Sequence, residues 1–257
     1  LLSSWFTYWV IVQRGLPPWL GFIIVIIFAL FLGWVIERII LRPLIAQPIL
    51  SLITVTLGLA YFIRGLVVFA WPTSVAGFSD SSLAKLFPPE PVHFGPAVVT
   101  QPYLWATVIS LALFVLLTLY FRYSRMGIAM RATADDQKAV QACGIPVTRI
   151  FSQSWMFACV LAAVGGVLMS SIGGVTMGLV ETGLKSFSVV ILGGLDSFLG
   201  AMLAGPIIGL AENLGDTYLT RLGVWEGLKE IIPFIVIIIV MFIRPYGLLG
   251  EERIERI

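Results

Sequence analysis

The sequence predicts an all-α fold, a polytopic transmembrane helical bundle with one short broken membrane segment and a helical loop on the cytoplasmic side. Three observations predict it. Of the 257 residues, 59% are hydrophobic and only 12% charged, against about 25% charged in a soluble domain. Mean hydropathy is +1.00, which leaves too little polar surface for a water-soluble shell. Apolar runs also recur at close to the roughly 20 residues that carry a helix across hydrocarbon.

Those runs fall at residues 1–12, 19–40, 49–70, 103–121, 150–172, 199–219 and 231–243. Helices are the only fit, because lipid offers no hydrogen-bond partner to an open backbone. Residues 1–12 read as the end of an apolar helix, since they lack the basic leader of a signal peptide, so a preceding portion is expected upstream. Residues 183–194 are apolar but short, carry Lys185 and end in the pair Gly193-Gly194. They read as a short or broken membrane segment, and the chain as one membrane domain over 1–257.

Orientation follows from the Lys and Arg balance, because basic loops are retained in the cytoplasm. With residues 122–149 inside, that side collects Arg38, Arg42, Arg122, Arg125, Arg131, Lys138, Arg149, Arg244, Arg253 and Arg256. The other side keeps Arg14, Arg64, Lys85, Lys185, Arg221 and Lys229. Parity then requires residues 183–194 to bring the chain back inward. Residues 71–101 become an outside, periplasmic loop in which Pro88, Pro89, Pro91 and Pro96 limit regular structure. Residues 244–257 become a cytoplasmic tail.

Several function classes drop out. The net charge of +2 is scattered between apolar stretches, so nucleic-acid binding has no electrostatic footprint. Cys143 and Cys159 are too few for a disulfide framework or a zinc site. His93 is the only histidine and lies in the outside loop, so neither a metal cluster nor a catalytic triad forms around it. No catalytic residue, metal or cofactor is expected.

Residues 122–146 are the most polar stretch before the C-terminal tail. They predict a short helix over 133–143. Thr133 with Asp136 fits a capping box, Asp135 and Asp136 put negative charge at the positive end of the helix dipole, and Gly144 followed by Pro146 supplies a stop. Ala139, Val140 and Cys143 mark a small apolar face. Periodicity alone leaves two readings open, a surface for another protein or a solvated helix resting on its own bundle.

Four stretches resemble the permease subunits of branched-chain amino acid ABC transporters, the LivH/LivM type. They are Met126-Gly-Ile-Ala-Met-Arg-Ala-Thr-Ala-Asp-Asp with Cys143-Gly-Ile-Pro, Gly183-Leu-Lys-Ser-Phe-Ser-Val-Val-Ile-Leu-Gly-Gly-Leu-Asp-Ser-Phe-Leu-Gly-Ala, Ile53-Thr-Val-Thr-Leu-Gly-Leu, and Phe242-Ile-Arg-Pro-Tyr-Gly-Leu-Leu-Gly. The Leu-Gly-Gly-x-x-Ser-x-x-Gly core of the second is the most specific. An Asn-Phe-Ala-His-Gly type element, usual near the N-terminus of that family, has no counterpart after Leu1.

The resemblance implies a permease subunit that translocates solute delivered by a periplasmic binding protein. It also implies a second permease subunit, identical or homologous, two cytoplasmic ATPases and a bacterial inner-membrane setting in lipid. No Gly-x-x-x-x-Gly-Lys-Ser/Thr loop occurs, so ATP hydrolysis falls to the partners. The inside helix then becomes the ATPase-coupling element, with Arg131, Thr133, Asp135, Asp136, Lys138 and Gly144 as its residues.

The candidate solute path comprises Thr54, Thr56, Lys185, Phe187, Gly193, Gly194 and Glu212. Each has a plainer reading. Lys185 either meets a solute carboxylate or snorkels to the outer surface. Glu212 needs a donor wherever it sits in the bundle, and Thr54 and Thr56 can satisfy their own helix carbonyls. Gly193 and Gly194 can expose backbone to a solute or serve close packing. A channel or ion-coupled secondary transporter of urea or amides shares this composition, but would be expected to carry more intramembrane carboxylates than Glu212.

Overall fold

A computed structural model describes residues 1–44, 47–71, 75–76, 91–94, 97–195, 197–221 and 230–250. Its contacts divide the chain into two compact units, Leu1–Leu179 and Val180–Ile257.

The first unit opens with α1, Leu2–Tyr8, which continues as a π-helical turn over Trp9–Gln13. Helix α2, Pro18–Val35, likewise runs on as π-helix through Ile36–Leu41. Then come α3, Ile49–Ala70, and α4, Gln101–Tyr123. Two shorter helices follow, α5, Arg125–Asp135, and α6, Gln137–Ala142, before the long α7, Val147–Gly173. In the second unit α8 is Leu179–Gly193, α9 Phe198–Arg221 and α10 Ile232–Ile243.

Among the described residues, five helical stretches have the length and apolarity to cross a membrane: Pro18–Leu44, Leu50–Ala70, Gln101–Tyr123, Val147–Gly173 and Phe198–Tyr218. They coincide with the longer apolar runs. The segment expected to be short or broken is α8, whose 15 residues rise about 22 Å. It is continuous, and the break falls at its end.

The principal contact of the first unit is α2 against α7. It works because α2 presents Gly21, Val25, Ala29 and Gly33, buried at every fourth position. In lipid the hydrophobic effect does not join apolar helices, so small residues that allow close approach do. A Cβ on Gly33 would lie 2.8 Å from both Met156 Cα and the Trp155 carbonyl oxygen. Val25 and Ala29 meet Ala163 and Val167 across this seam. Below it, Trp5 is fully buried with Val10, Ile11, Val67, Leu168 and Val175 and stacks on Trp71 at 6.1 Å. Glu37, at 1% exposure, is paired with Arg42 at 3.2 Å.

The loop after α3 departs from its proline-limited expectation. Strand β2, Pro91–Phe94, pairs antiparallel with β3, Ala97–Thr100, and β1, Val75–Ala76, pairs with β4, Val175–Thr176. Pro91 is tolerated because it is the first residue of its strand, where a missing N–H costs least. Pro88, Pro89 and Pro96 lie outside the described residues.

The second unit is built around the turn between α8 and α9. Gly194 has φ +103°, a conformation that favours glycine. A Cβ on Gly193 would collide with the backbone of Gly200 and Ala201, and one on Gly194 would lie 2.7 Å from Gly250 Cα. The segment after α10 folds back here, Leu248 N–H donating to the Leu192 carbonyl at 2.8 Å and Leu249 N–H to that of Gly193 at 3.2 Å. Leu192, Ala204 and Ile208 form the core, with Val189, Val236 and Val240 packed on it.

Candidate functional site

The polar segment after α4 is two helices, not the single one expected over 133–143. Helix α5 is capped by Ser124, whose Oγ accepts from Gly127 N–H at 2.9 Å. Gly127 is obligatory there, since a Cβ would lie 2.6 Å from Phe121 Cα. Thr133 is therefore not a cap. It sits inside α5 at 3% exposure and donates its hydroxyl to the Ala129 carbonyl at 2.7 Å.

The cap of α6 is Asp136, with extended backbone at φ −149°, ψ 103°. Its Oδ1 accepts from Lys138 N–H at 2.8 Å and Ala139 N–H at 3.1 Å. An aspartate that satisfies the first amides of the next turn competes with helix continuation at its own position, which separates α5 from α6. Asp135 is correspondingly the last residue of α5, where a carboxylate faces the negative end of the dipole. Gly144 has φ +78° and ends α6 in the left-handed manner expected of it.

The apolar face expected on this helix narrows to one residue. Val140 is buried with Met130, Val147 and Ile150, whereas Ala139 and Cys143 are exposed. Phe121 and Phe157 close the same cluster, so the polar segment is clamped onto α4 and α7. Arg131, Asp135, Asp136, Gln137 and Lys138 are exposed. Arg131 additionally reaches the Arg122 carbonyl at 3.5 Å. The result is a polar ledge anchored on apolar helices.

The solute-path candidates separate into three groups. Thr54 donates to the Leu50 carbonyl at 2.8 Å and Thr56 to those of Leu52 and Ile53 at 3.0 and 2.9 Å, so both hydroxyls serve their own helix. Gly193 and Gly194 are buried and their surroundings are backbone, so close packing accounts for the pair. Lys185 and Glu212 are brought together, Nζ to Oε1 at 3.2 Å, while Phe187 is exposed.

That pairing was not legible in the sequence, because 27 residues separate the partners and the helix crossing sets the register. Gly193 meets Gly200, a Cβ on Gly205 would meet Val189, and Lys185 meets Glu212. The partners thus recede unequally from the turn. Glu37, buried in an ion pair near the end of α2, was also missed as a site. Its signal was a lone carboxylate ending an apolar run with an arginine five residues on.

These helices and their apolar seams define a multi-pass helical membrane protein. The chain belongs to the family described as branched-chain amino acid transport system / permease component, which matches residues 1–241. It is 32% identical over 245 residues to the high-affinity branched-chain amino acid transport system permease protein LivH of Salmonella typhimurium, covering 92% of this chain and 76% of that one. To the corresponding BraD protein of Pseudomonas aeruginosa it is 29% identical over 242 residues, 88% and 72% of the two chains. A probable branched-chain amino acid transport permease protein LivH of Methanocaldococcus jannaschii is 33% identical over 154 residues, 57% and 48% of the two. No solved structure matches.

Proposed function

We propose that this chain is the membrane-spanning permease subunit of an ATP-driven importer for branched-chain or related amino acids in the bacterial inner membrane. The observation that carries the reading is the family match over residues 1–241. Solute arrives from a periplasmic binding protein, a second permease subunit completes the pathway, and two cytoplasmic ATPases supply the energy. Residues 122–149 form the cytoplasmic coupling loop, 71–101 the periplasmic loop and 244–257 the cytoplasmic tail of one permease domain over 1–257.

The α5–α6 ledge supports the coupling role, because its exposed polar surface stands on a buried apolar clamp. Such a ledge transmits a push from a docked protein to α4 and α7 without first deforming. Arg131, Asp135, Asp136 and Lys138 supply the charged contacts, Thr133 holds α5, and Gly144 turns the chain into α7. Uptake of leucine into proteoliposomes holding the assembled complex tests the reading. It is expected to vanish when the ATPase nucleotide site is disabled. Undiminished uptake driven by an ion gradient would replace it with a secondary transporter.

A further inference from the structure

We infer that the Lys185–Glu212 pair is a charge-exchange site for a zwitterionic solute, its ammonium taking the solute carboxylate and its carboxylate the solute ammonium. This deepens the amino-acid reading above and rests on it.

Position comes first. Glu212 lies six residues before the end of the Phe198–Tyr218 span, about 9 Å inside it at 1.5 Å per residue. Lys185 is in the middle of α8. Charged side chains at such depth face a cavity or a partner and mark solute routes. Both side chains are mostly covered, 22% and 14% exposed, and Glu212 Oε1 is buried.

Incomplete satisfaction comes second. Although Lys185 Nζ is 3.2 Å from Glu212 Oε1, that oxygen accepts no well-directed hydrogen bond from the described residues. Ser188, three residues after Lys185 and so on the same helical face, is completely buried, and its hydroxyl has no partner among the described residues. Buried polar atoms are ordinarily hydrogen-bonded. The unmet Ser188 hydroxyl, on the face of α8 that carries Lys185, leaves donor and acceptor capacity in hand for a polar guest.

Charge balance selects the guest. A cation, an anion or a neutral amide can replace the Lys185–Glu212 contact on one side at most, a costly exchange for covered charges. A zwitterion replaces one Lys–Glu contact with one Lys–carboxylate and one ammonium–Glu contact, so net charge stays zero. With no solute the pair closes on itself, Nζ to Oε1 at 3.2 Å.

The test uses the assembled transporter in proteoliposomes with leucine. Wild type that fails to import leucine with ATP overturns the amino-acid reading and this site together. Given import, the double variant Lys185→Met/Glu212→Met removes both charges of the pair together. It is expected to assemble and melt as wild type while leucine import falls about tenfold or more, the equivalent of one lost charge-assisted contact. Wild-type import by this variant would make the pair a structural pin and sink the exchange site alone.

A second measurement decides the matter should the double variant fail to assemble. In a Cys143→Ser/Cys159→Ser complex that keeps both charges, Ser188→Cys, one turn from Lys185 in α8, is labelled with 2-aminoethyl methanethiosulfonate. Leucine-loaded binding protein with ATP is expected to slow that labelling about tenfold. No labelling, or a rate indifferent to leucine, overturns the site.

Discussion

Replacing Asp136 with alanine removes the oxygen that accepts from Lys138 and Ala139 N–H. An N-cap of this kind contributes about 1 kcal/mol. Helix α6 has only six residues, too few to persist alone, so its order rests on this cap and on the burial of Val140. The same loss is small against a bundle held by buried seams. Melting of the isolated permease is therefore expected to shift little, while its affinity for the purified ATPase falls about fivefold, the equilibrium equivalent of about 1 kcal/mol. Titrating ATPase onto the permease in nanodiscs reads this directly. Gln137→Ala is the internal control, because Gln137 is exposed on the same turn and the Asp136 cap bonds go to Lys138 and Ala139 instead. Equal losses from both substitutions would refute the capping argument, and no loss from Asp136→Ala would return its carboxylate to a solvated loop charge.

Gly33→Ala drives a methyl group against the Met156 backbone and is expected to lower stability by about 1–3 kcal/mol. Gly165→Ala, with nothing within 4 Å, is expected to hold or raise it, and thermal melting of the two variants compares them. Arg42→Ala strands the buried Glu37 carboxylate and is expected to cost about 2 kcal/mol. Adding Glu37→Gln is expected to recover part of that in chemical denaturation. Gln137→Cys is exposed on α6, and an impermeant thiol reagent is expected to label it only after cells are opened. Labelling from outside intact cells would invert the orientation.

The spans were legible because one external length, the hydrocarbon thickness, dictates them. The apolar run 49–70 is α3 to the residue, and the runs 103–121 and 199–219 lie within two residues of α4 and α9 at their starts. What the runs conceal is anything decided between segments. The Thr133-to-Asp136 spacing suggested one capped helix, yet Ser124 opens α5 earlier and Asp136 uses its oxygen on the turn after itself. Proline counting missed the β2–β3 hairpin because its strands satisfy one another across a four-residue register. Lys185 and Glu212 each stood out as costly, but neither residue type nor spacing announces which buried charge another will meet.

The turn between α8 and α9 depends on residues that lie beyond α10. Leu248 and Leu249 provide the amides that Leu192 and Gly193 accept, and Gly247 at φ +81° brings the backbone near enough to do so. During synthesis these acceptors wait, unmet, while α9 and α10 emerge and enter the bilayer. The clasp that fixes the α8–α9 hairpin is thus added last.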